Sequence, residues 1–276
     1  MLPDYLTVPA SDLGKGTNVK VTIKTDMASI GEAVAQDMFD EIVGAKKQGR
    51  ETTLIVPVGP VDQFPILAKR INAERLCIRD VVLINMDEYL TDDDQWIAID
   101  HPLSFRGYMN RLFYDLVDPQ LAPKPENRVF PDPQRCSDIG KLIESRGGVD
   151  ATFGGIGING HMAFNEPDET ISDKDFAALP TRVLNLTRET RTINSVTVGG
   201  EITIIPKRAV TVGMKEILES RRMRFYCNRP WQSAVVRRVL HGPVTAKCPA
   251  SFMRNHSDAS LTIADYVATP PQIQLR

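Results

Sequence analysis

This chain is poor in the residues that mark disulfide frameworks, nucleic-acid surfaces and membrane spans. It holds four cysteines, Cys77, Cys136, Cys227 and Cys248, widely spaced and without a Cys-x-x-Cys pair. That argues against a disulfide set and for free thiols in a reducing compartment. There is no basic block and no acidic tail. Against 33 Lys and Arg stand 35 Asp and Glu, a net charge of -2, so neither nucleic acid nor an anionic membrane is the expected partner. No apolar run approaches the roughly 18 residues that span a bilayer, and Met1 to Lys20 carries no apolar signal-peptide core. These absences point to a cytoplasmic protein. Histidine is scarce as well, four in the whole chain, so the place of each one informs.

What is present is an ordinary globular composition, 42% hydrophobic and 25% charged over 276 residues. That length buries a sizeable core, and the reading is one domain over residues 1–276. Val19, Val21 and Ile23 alternate with polar residues as a half-buried strand does. Ser29 is placed to cap a helix in which Ile30, Val34, Met38 and Ile42 recur every four positions. Thr53 to Val56 and Val81 to Ile84 read as buried strands, with a helix over Phe64 to Leu76 between them. Phe105, Met109, Leu112, Phe113 and Leu116 form another helical stripe, and residues 117–135 a proline-rich connection. Ala151 to Phe153, Val183 to Leu186, Ala209 to Val212 and Met223 to Tyr226 are further strands. Helical patterns follow at about 188–196, 213–220 and 231–240. Strands alternating with helices predict parallel pairing, hence a doubly wound α/β sheet with helices on both faces. Ligands in such sheets sit beyond the carboxyl ends of the strands.

Two segments fall at such ends. One is Gly154-Gly155-Ile156-Gly157-Ile158-Asn159-Gly160-His161-Met162-Ala163-Phe164-Asn165-Glu166-Pro167, and the other Asn85-Met86-Asp87-Glu88-Tyr89. The first formally matches a Gly-x-Gly-x-x-Gly dinucleotide fingerprint, which needs a long helix opening at its last glycine. Pro167, seven residues later, breaks such a helix. A tight turn with a surface histidine is the plain alternative. His161 and Glu166 alone do not make a metal site. Asp87 and Glu88 admit a plain reading too, as acids at a helix N-terminus. His101 reads as structural or as a pocket wall, and His241 and His256 as surface residues.

The run Gly-x-Gly-x-x-Gly-His-x-Ala-Phe-Asn-Glu-Pro resembles the signature of the glucosamine-6-phosphate deaminase (isomerase) family. Asn85 to Tyr89 resembles that family's second motif. His101-Pro102-x-Ser104-Phe105, Pro206-Lys207-x-Ala209-x-Thr211-Val212-Gly213 and the Cys248-Pro249-Ala250-Ser251 region keep its order and spacing. The resemblance covers roughly residues 20–265. Sugar-phosphate lactonases have a similar glycine–histidine turn, but theirs does not continue as Phe-Asn-Glu-Pro. The resemblance implies an enzyme that turns a 2-amino aldose into a ketose and releases ammonia, without a cofactor or metal. It implies His161 as the ring-opening acid and base, Glu166 and Asn159 as its supports, and Asp87 as the base at C2. Backbone N–H groups from Gly157 to Gly160 would face the enolate oxygen. Glu88 and Gly59 would line the substrate.

The resemblance breaks where the family holds its 6-phosphate. The loop after the second strand reads Pro57-Val58-Gly59-Pro60-Val61-Asp62, without hydroxyls, with a proline that donates no N–H and with an added carboxylate. A family arginine aligns with Val196, and a family lysine with Gln232. Arg191 and Arg229 are the candidate replacements. Asp168 to Arg182 does not match the family's effector segment, so no effector site is expected. The sequence therefore predicts an amino-sugar isomerase and deaminase whose sugar is unphosphorylated or differently substituted. The alternatives are a lactonase-like hydrolase and a non-catalytic sugar-binding protein. A homo-oligomer is compatible with the sequence, which does not fix the subunit number.

Overall fold

The computed structural model describes residues 2–59 and 62–274. In chain order its strands are β1 (Val19–Lys24), β2 (Thr53–Val56), β3 (Val82–Asn85), β4 (Asp87–Leu90), β5 (Arg128–Val129), β6 (Ala151–Gly155), β7 (Arg182–Asn185), β8 (Arg208–Thr211), β9 (Met223–Cys227) and β10 (Ala259–Ala264). The α-helices are α1 (Met27–Lys47), α2 (Gln63–Ala73), α3 (Phe105–Met109), α4 (Ser137–Ser145), α5 (Asp173–Ala177), α6 (Arg188–Ser195), α7 (Met214–Leu218), α8 (Gln232–His241) and α9 (Asp265–Ala268).

Seven strands pair in the order β1-β10-β9-β6-β2-β3-β5. All six pairings are parallel, as alternating strands and helices require. The central strands are apolar along their length because both faces are covered. Leu54, Ile55, Val56 and Ile84 are fully buried, as are Phe153 and Phe225. Helix α1 presents Ile30, Val34, Met38 and Ile42 to this core, each contributing roughly 1.5–3 kcal/mol of burial.

The sheet reverses direction between β2 and β6. From β2 the chain moves to β3 and β5, whereas from β6 it moves the other way to β9 and β10. The carboxyl ends of these neighbours flank the crevice that such a reversal leaves open.

Several expectations need correction. Strands β4, β8 and β7 form a separate antiparallel sheet, so the segments near 183 and 209 do not extend the parallel one. Asp87 and Glu88 lie on β4 and not at a helix start. Asp26, not Ser29, caps α1, and the Ser29 N–H donates to its carboxylate at 2.8 Å. The stripe from Phe105 is no single helix, because α3 passes into a π-turn over Asn110–Tyr114. That extra residue per turn rotates Leu116 out to 44% exposure. Strands β5 and β10 and helices α4, α5 and α9 have no counterpart in the sequence reading. Among the described residues no helix is long and apolar enough to cross a membrane. The four cysteines are free thiols, with Cys227 and Cys248 buried.

Candidate active site

The glycine-rich run is a tight turn at the end of β6, and no helix begins within it. Gly160 has φ +93°, and a Cβ there would meet the Cys248 Sγ at 2.6 Å. Gly157 lies beneath the His161 imidazole, where a Cβ would stand 2.0 Å from the ring. Both positions therefore demand glycine. Ala163 also adopts positive φ, 51°, which stores on the order of 1 kcal/mol of strain in the turn.

The Gly157 amide donates to the His161 carbonyl and the Gly160 amide to the Gly157 carbonyl, both at 3.0 Å. Those two N–H groups close the turn, so of the amides expected from Gly157 to Gly160 to face an enolate oxygen, these two do not.

His161 is held through Nδ1. The Asn159 Oδ1 lies 2.8 Å away, the Thr190 Oγ1 3.2 Å and the Glu166 Oε2 3.5 Å. The Asn159 Nδ2 donates to Glu166 Oε2 at 2.7 Å, which turns the Asn159 oxygen toward the imidazole. An acceptor facing Nδ1 fixes the tautomer that carries its hydrogen there. Nε2 is left without a protein partner among the described residues, available to exchange a proton. Glu166 Oε1 accepts the Thr187 N–H at 3.0 Å, at the N-terminal end of α6 where a carboxylate is favoured. Burial raises the Glu166 carboxyl, but the hydrogen bond and charge of His161 and the Asn159 amide outweigh it. The net result holds it down at about 2.

Asp87 begins β4, where the chain passes from one sheet to the other. Met86 bridges them, its N–H donating to the Val56 carbonyl at 2.9 Å and its carbonyl accepting the Val212 N–H at 2.7 Å. This ties Asp87 to the end of β2. Its register partner is Thr211, whose hydroxyl accepts the Phe164 N–H at 3.0 Å. Asn165 adds a bond from Nδ2 to the Val212 carbonyl at 2.9 Å. The strand carrying Asp87 is thus laced to the turn carrying His161. Burial, and secondly the charge of Glu88, push the Asp87 carboxyl up to about 8. A buried carboxyl near neutrality beside a crevice is the usual form of a catalytic acid or base.

Glu88, expected at the substrate, is fully buried and holds the fold instead. Its oxygens accept from the Ser104 hydroxyl, the amides of Tyr89, Phe105 and Arg106, and the Arg106 guanidinium, at 2.9–3.2 Å. A carboxylate has about four lone-pair sites, so five donors leave none for a ligand. Gln232 is likewise engaged, donating to the Ile156 carbonyl at 2.7 Å and accepting the Arg229 amide at 2.8 Å. Arg191 gives Nε and Nη2 to the carbonyls of Ile205 and Ile202. The Arg229 guanidinium meets the Met27 Sδ at 3.7 Å, at the start of α1. Val196 is 68% exposed. Gly59 ends the described part of the β2 loop, and Pro60 and Val61 lie outside the described residues.

The other histidines are structural. The Nδ1 of His101 accepts the Leu103 N–H at 3.1 Å, and the Nε2 of His241 accepts the Gly14 N–H at 3.2 Å. His256 is buried against the Ser220 carbonyl, 2.7 Å from its Nε2, not a surface residue as expected. Sequence reasoning missed Thr187 and Thr190. The Thr187-x-x-Thr190 spacing marks a helix cap, and Thr187 does cap α6, but spacing cannot show that this cap meets His161. Among the described residues no three His, Cys, Asp or Glu side chains gather to hold a metal.

Comparison with known proteins bears on this geometry. No protein-family model matches the chain. It is 30% identical over 261 residues to the glucosamine-6-phosphate deaminase of Rhodopirellula baltica, covering 92% of this chain and 97% of that one. Identity to the Porphyromonas gingivalis protein of the same name is 28% over 257 residues, covering 91% and 92%. Among solved structures it resembles a monomeric glucosamine-6-phosphate deaminase with a TM-score of 0.78 at 27% identity, covering 91% and 99%. A 6-phosphogluconolactonase from Thermotoga maritima superposes with a TM-score of 0.65 at 12% identity, covering 90% and 100%, a likeness of fold alone.

Proposed function

The chain belongs to the glucosamine-6-phosphate deaminase family, and from that premise we propose that it converts a 2-amino-2-deoxy aldose into the ketose with release of ammonia. The observation that carries this reading is Asp87. A carboxyl raised to about 8 is a stronger base than an ordinary aspartate once ionised, and a rigid strand end holds it.

Three steps follow. His161, through Nε2, takes the proton from O1 of the closed sugar and delivers it to O5, opening the ring. Glu166 and Asn159 steady the imidazole, and the Glu166 carboxylate supports its positive form. Asp87 then removes the proton from C2, and that electron pair forms the C1=C2 bond while the carbonyl pair moves onto O1. The substrate's own ammonium passes a proton to O1, leaving a neutral enolamine. Asp87 returns its proton to C1 as the nitrogen lone pair forms a C2=N bond. Water adds to this iminium carbon and ammonium leaves. The sum is amino aldose plus water giving ketose plus ammonia, with Asp87 and His161 restored.

The test is simultaneous assay of ammonia and ketose with a panel of phosphorylated and free 2-amino sugars at pH 8. One ammonia per ketose is expected. Ammonia without ketose, or release from no sugar in the panel, overturns the reading. Lactone hydrolysis that persists in Asp87→Asn would point to lactonase chemistry, which needs no C2 base.

A further inference from the structure

One group beside the imidazole has no part in the three steps. Thr190 stands in the first turn of α6 and is fully buried. Its Oγ1 lies 3.2 Å from the His161 Nδ1. The Glu166 Oε2, 3.5 Å from the same nitrogen, is at the outer limit of a hydrogen bond. The nearer acceptor, Asn159 Oδ1, is shared with the His161 main-chain N–H at 3.3 Å.

The direction of each bond follows from what each group can donate. The Asn159 Nδ2 gives its hydrogens to Glu166 Oε2 at 2.7 Å and to Thr187 Oγ1 at 3.3 Å, which fixes its Oδ1 toward the imidazole. An amide oxygen only accepts, so Nδ1 carries the hydrogen. A protonated Nδ1 has no lone pair for a hydroxyl, so the Thr190 oxygen accepts from it as well. The Thr187 hydroxyl donates to Thr190 Oγ1 at 3.2 Å. The Thr190 hydrogen is left for Glu166, whose carboxyl Thr190 helps to hold down. Turning the ring by half a rotation would put carbon where Nδ1 stands and leave both oxygens without that donor.

We propose that Thr190 is a positioning residue of the proton-transfer site. Its hydroxyl, carried on the first turn of α6, holds the His161 imidazole in the orientation and tautomer that leave Nε2 free for the sugar oxygens. The inference rests on the deaminase reading for the task of His161, whereas the hold on the ring is independent of the sugar bound.

Two substitutions separate the hydroxyl from the packing. Thr190→Val keeps the volume and removes the hydroxyl, and Thr190→Ser does the reverse. Steady-state ammonia release from glucosamine 6-phosphate is the first readout. Thr190→Val is expected to lower kcat about tenfold and to change KM by less than about twofold. Thr190→Ser is expected to stay within about threefold of the wild type. The opposite order, with serine the worse, means a packing role and overturns the proposal. Should the valine variant not fold, Thr190→Ala beside Thr190→Ser gives the same contrast, because those two differ only in the hydroxyl.

The second readout is the imidazole proton and nitrogen NMR spectrum of the unliganded protein. With four histidines in the chain, the His161 signals are assigned by their loss in His161→Gln. The Nδ1–H proton is expected downfield and slow to exchange in the wild type and Thr190→Ser. In Thr190→Val it is expected to move upfield and exchange faster. Either readout unchanged in Thr190→Val overturns the proposal. Ammonia from no sugar with the wild type overturns the deaminase reading, and the spectra then decide the hold on the ring by themselves.

Discussion

The two ends of the crevice are built on opposite terms. At the β6 end His161, Asn159, Glu166, Thr187 and Thr190 bond to one another. At the β2 end, among the described residues, Gln63 Oε1 has no hydrogen-bond donor and the Asp62 carboxylate caps none of the α2 amides. The difference teaches where preorganisation is needed. Proton transfer requires groups held in place before the substrate arrives, so that end is complete in itself.

The contrast can be broken most severely at the base. Asp87→Asn is expected to lower kcat/KM for ammonia release by 10²–10⁴-fold, measured by coupled ammonia assay. The same change is expected to stabilise the fold. A carboxyl raised to about 8 binds its proton more tightly folded than unfolded, so wild-type stability falls as pH rises from about 4 to about 8. The melting-temperature gain of Asp87→Asn should therefore grow over that window and level off above it, as thermal unfolding at several pH values would record. A gain that does not depend on pH would contradict the raised carboxyl.

Disturbing the histidine support comes next. Gly157→Ala places a Cβ where the His161 ring stands, and a displacement near 1 Å costs roughly a hundredfold in rate. Glu166→Gln keeps the shape and removes the charge, with a loss of roughly tenfold to a hundredfold in kcat expected from steady-state kinetics. The depressed Glu166 carboxyl contributes stability above its ordinary range that is lost as pH falls toward about 2. The stability gap between wild type and Glu166→Gln should therefore close in acid.

A milder probe leaves the protein unmutated. If ionised Asp87 is the base, kcat/KM should rise about tenfold per pH unit from 6 and bend near 8. A profile already flat at pH 6 would separate the base from Asp87. The smallest effects belong to the β2 end, where the exposed charge of Asp62 is screened by solvent.

Much of the fold was legible because its signals are local. Leu54 to Val56 and Phe153 are apolar runs that must be buried, and α1 shows its stripe at every fourth residue. The second sheet was not legible. Ala209 to Val212 reads as a strand, and Asp87 and Glu88 as acids beyond a strand end or at a helix start, but only their pairing shows β4 and β8 antiparallel and apart from the main sheet. The site was legible where chemistry and spacing coincide, in His161, Asn159 and Glu166, which the turn brings together. It was not legible for Glu88, whose carboxylate looks catalytic in sequence and proves to bind Ser104, Phe105 and Arg106. Nor could sequence reveal that Gln232 would be drawn onto the Ile156 carbonyl. Burial and hydrogen bonding decide whether a polar side chain serves the fold or a ligand, and both are set by distant segments.

The central claim is that Asp87 moves the C2 proton of an amino sugar. The most direct test is ammonia and ketose formation from the preferred 2-amino sugar at pH 8, wild type against folded Asp87→Asn. The account predicts equal ammonia and ketose from the wild type and a loss of at least a hundredfold of both in the variant. Unchanged release by Asp87→Asn would contradict it.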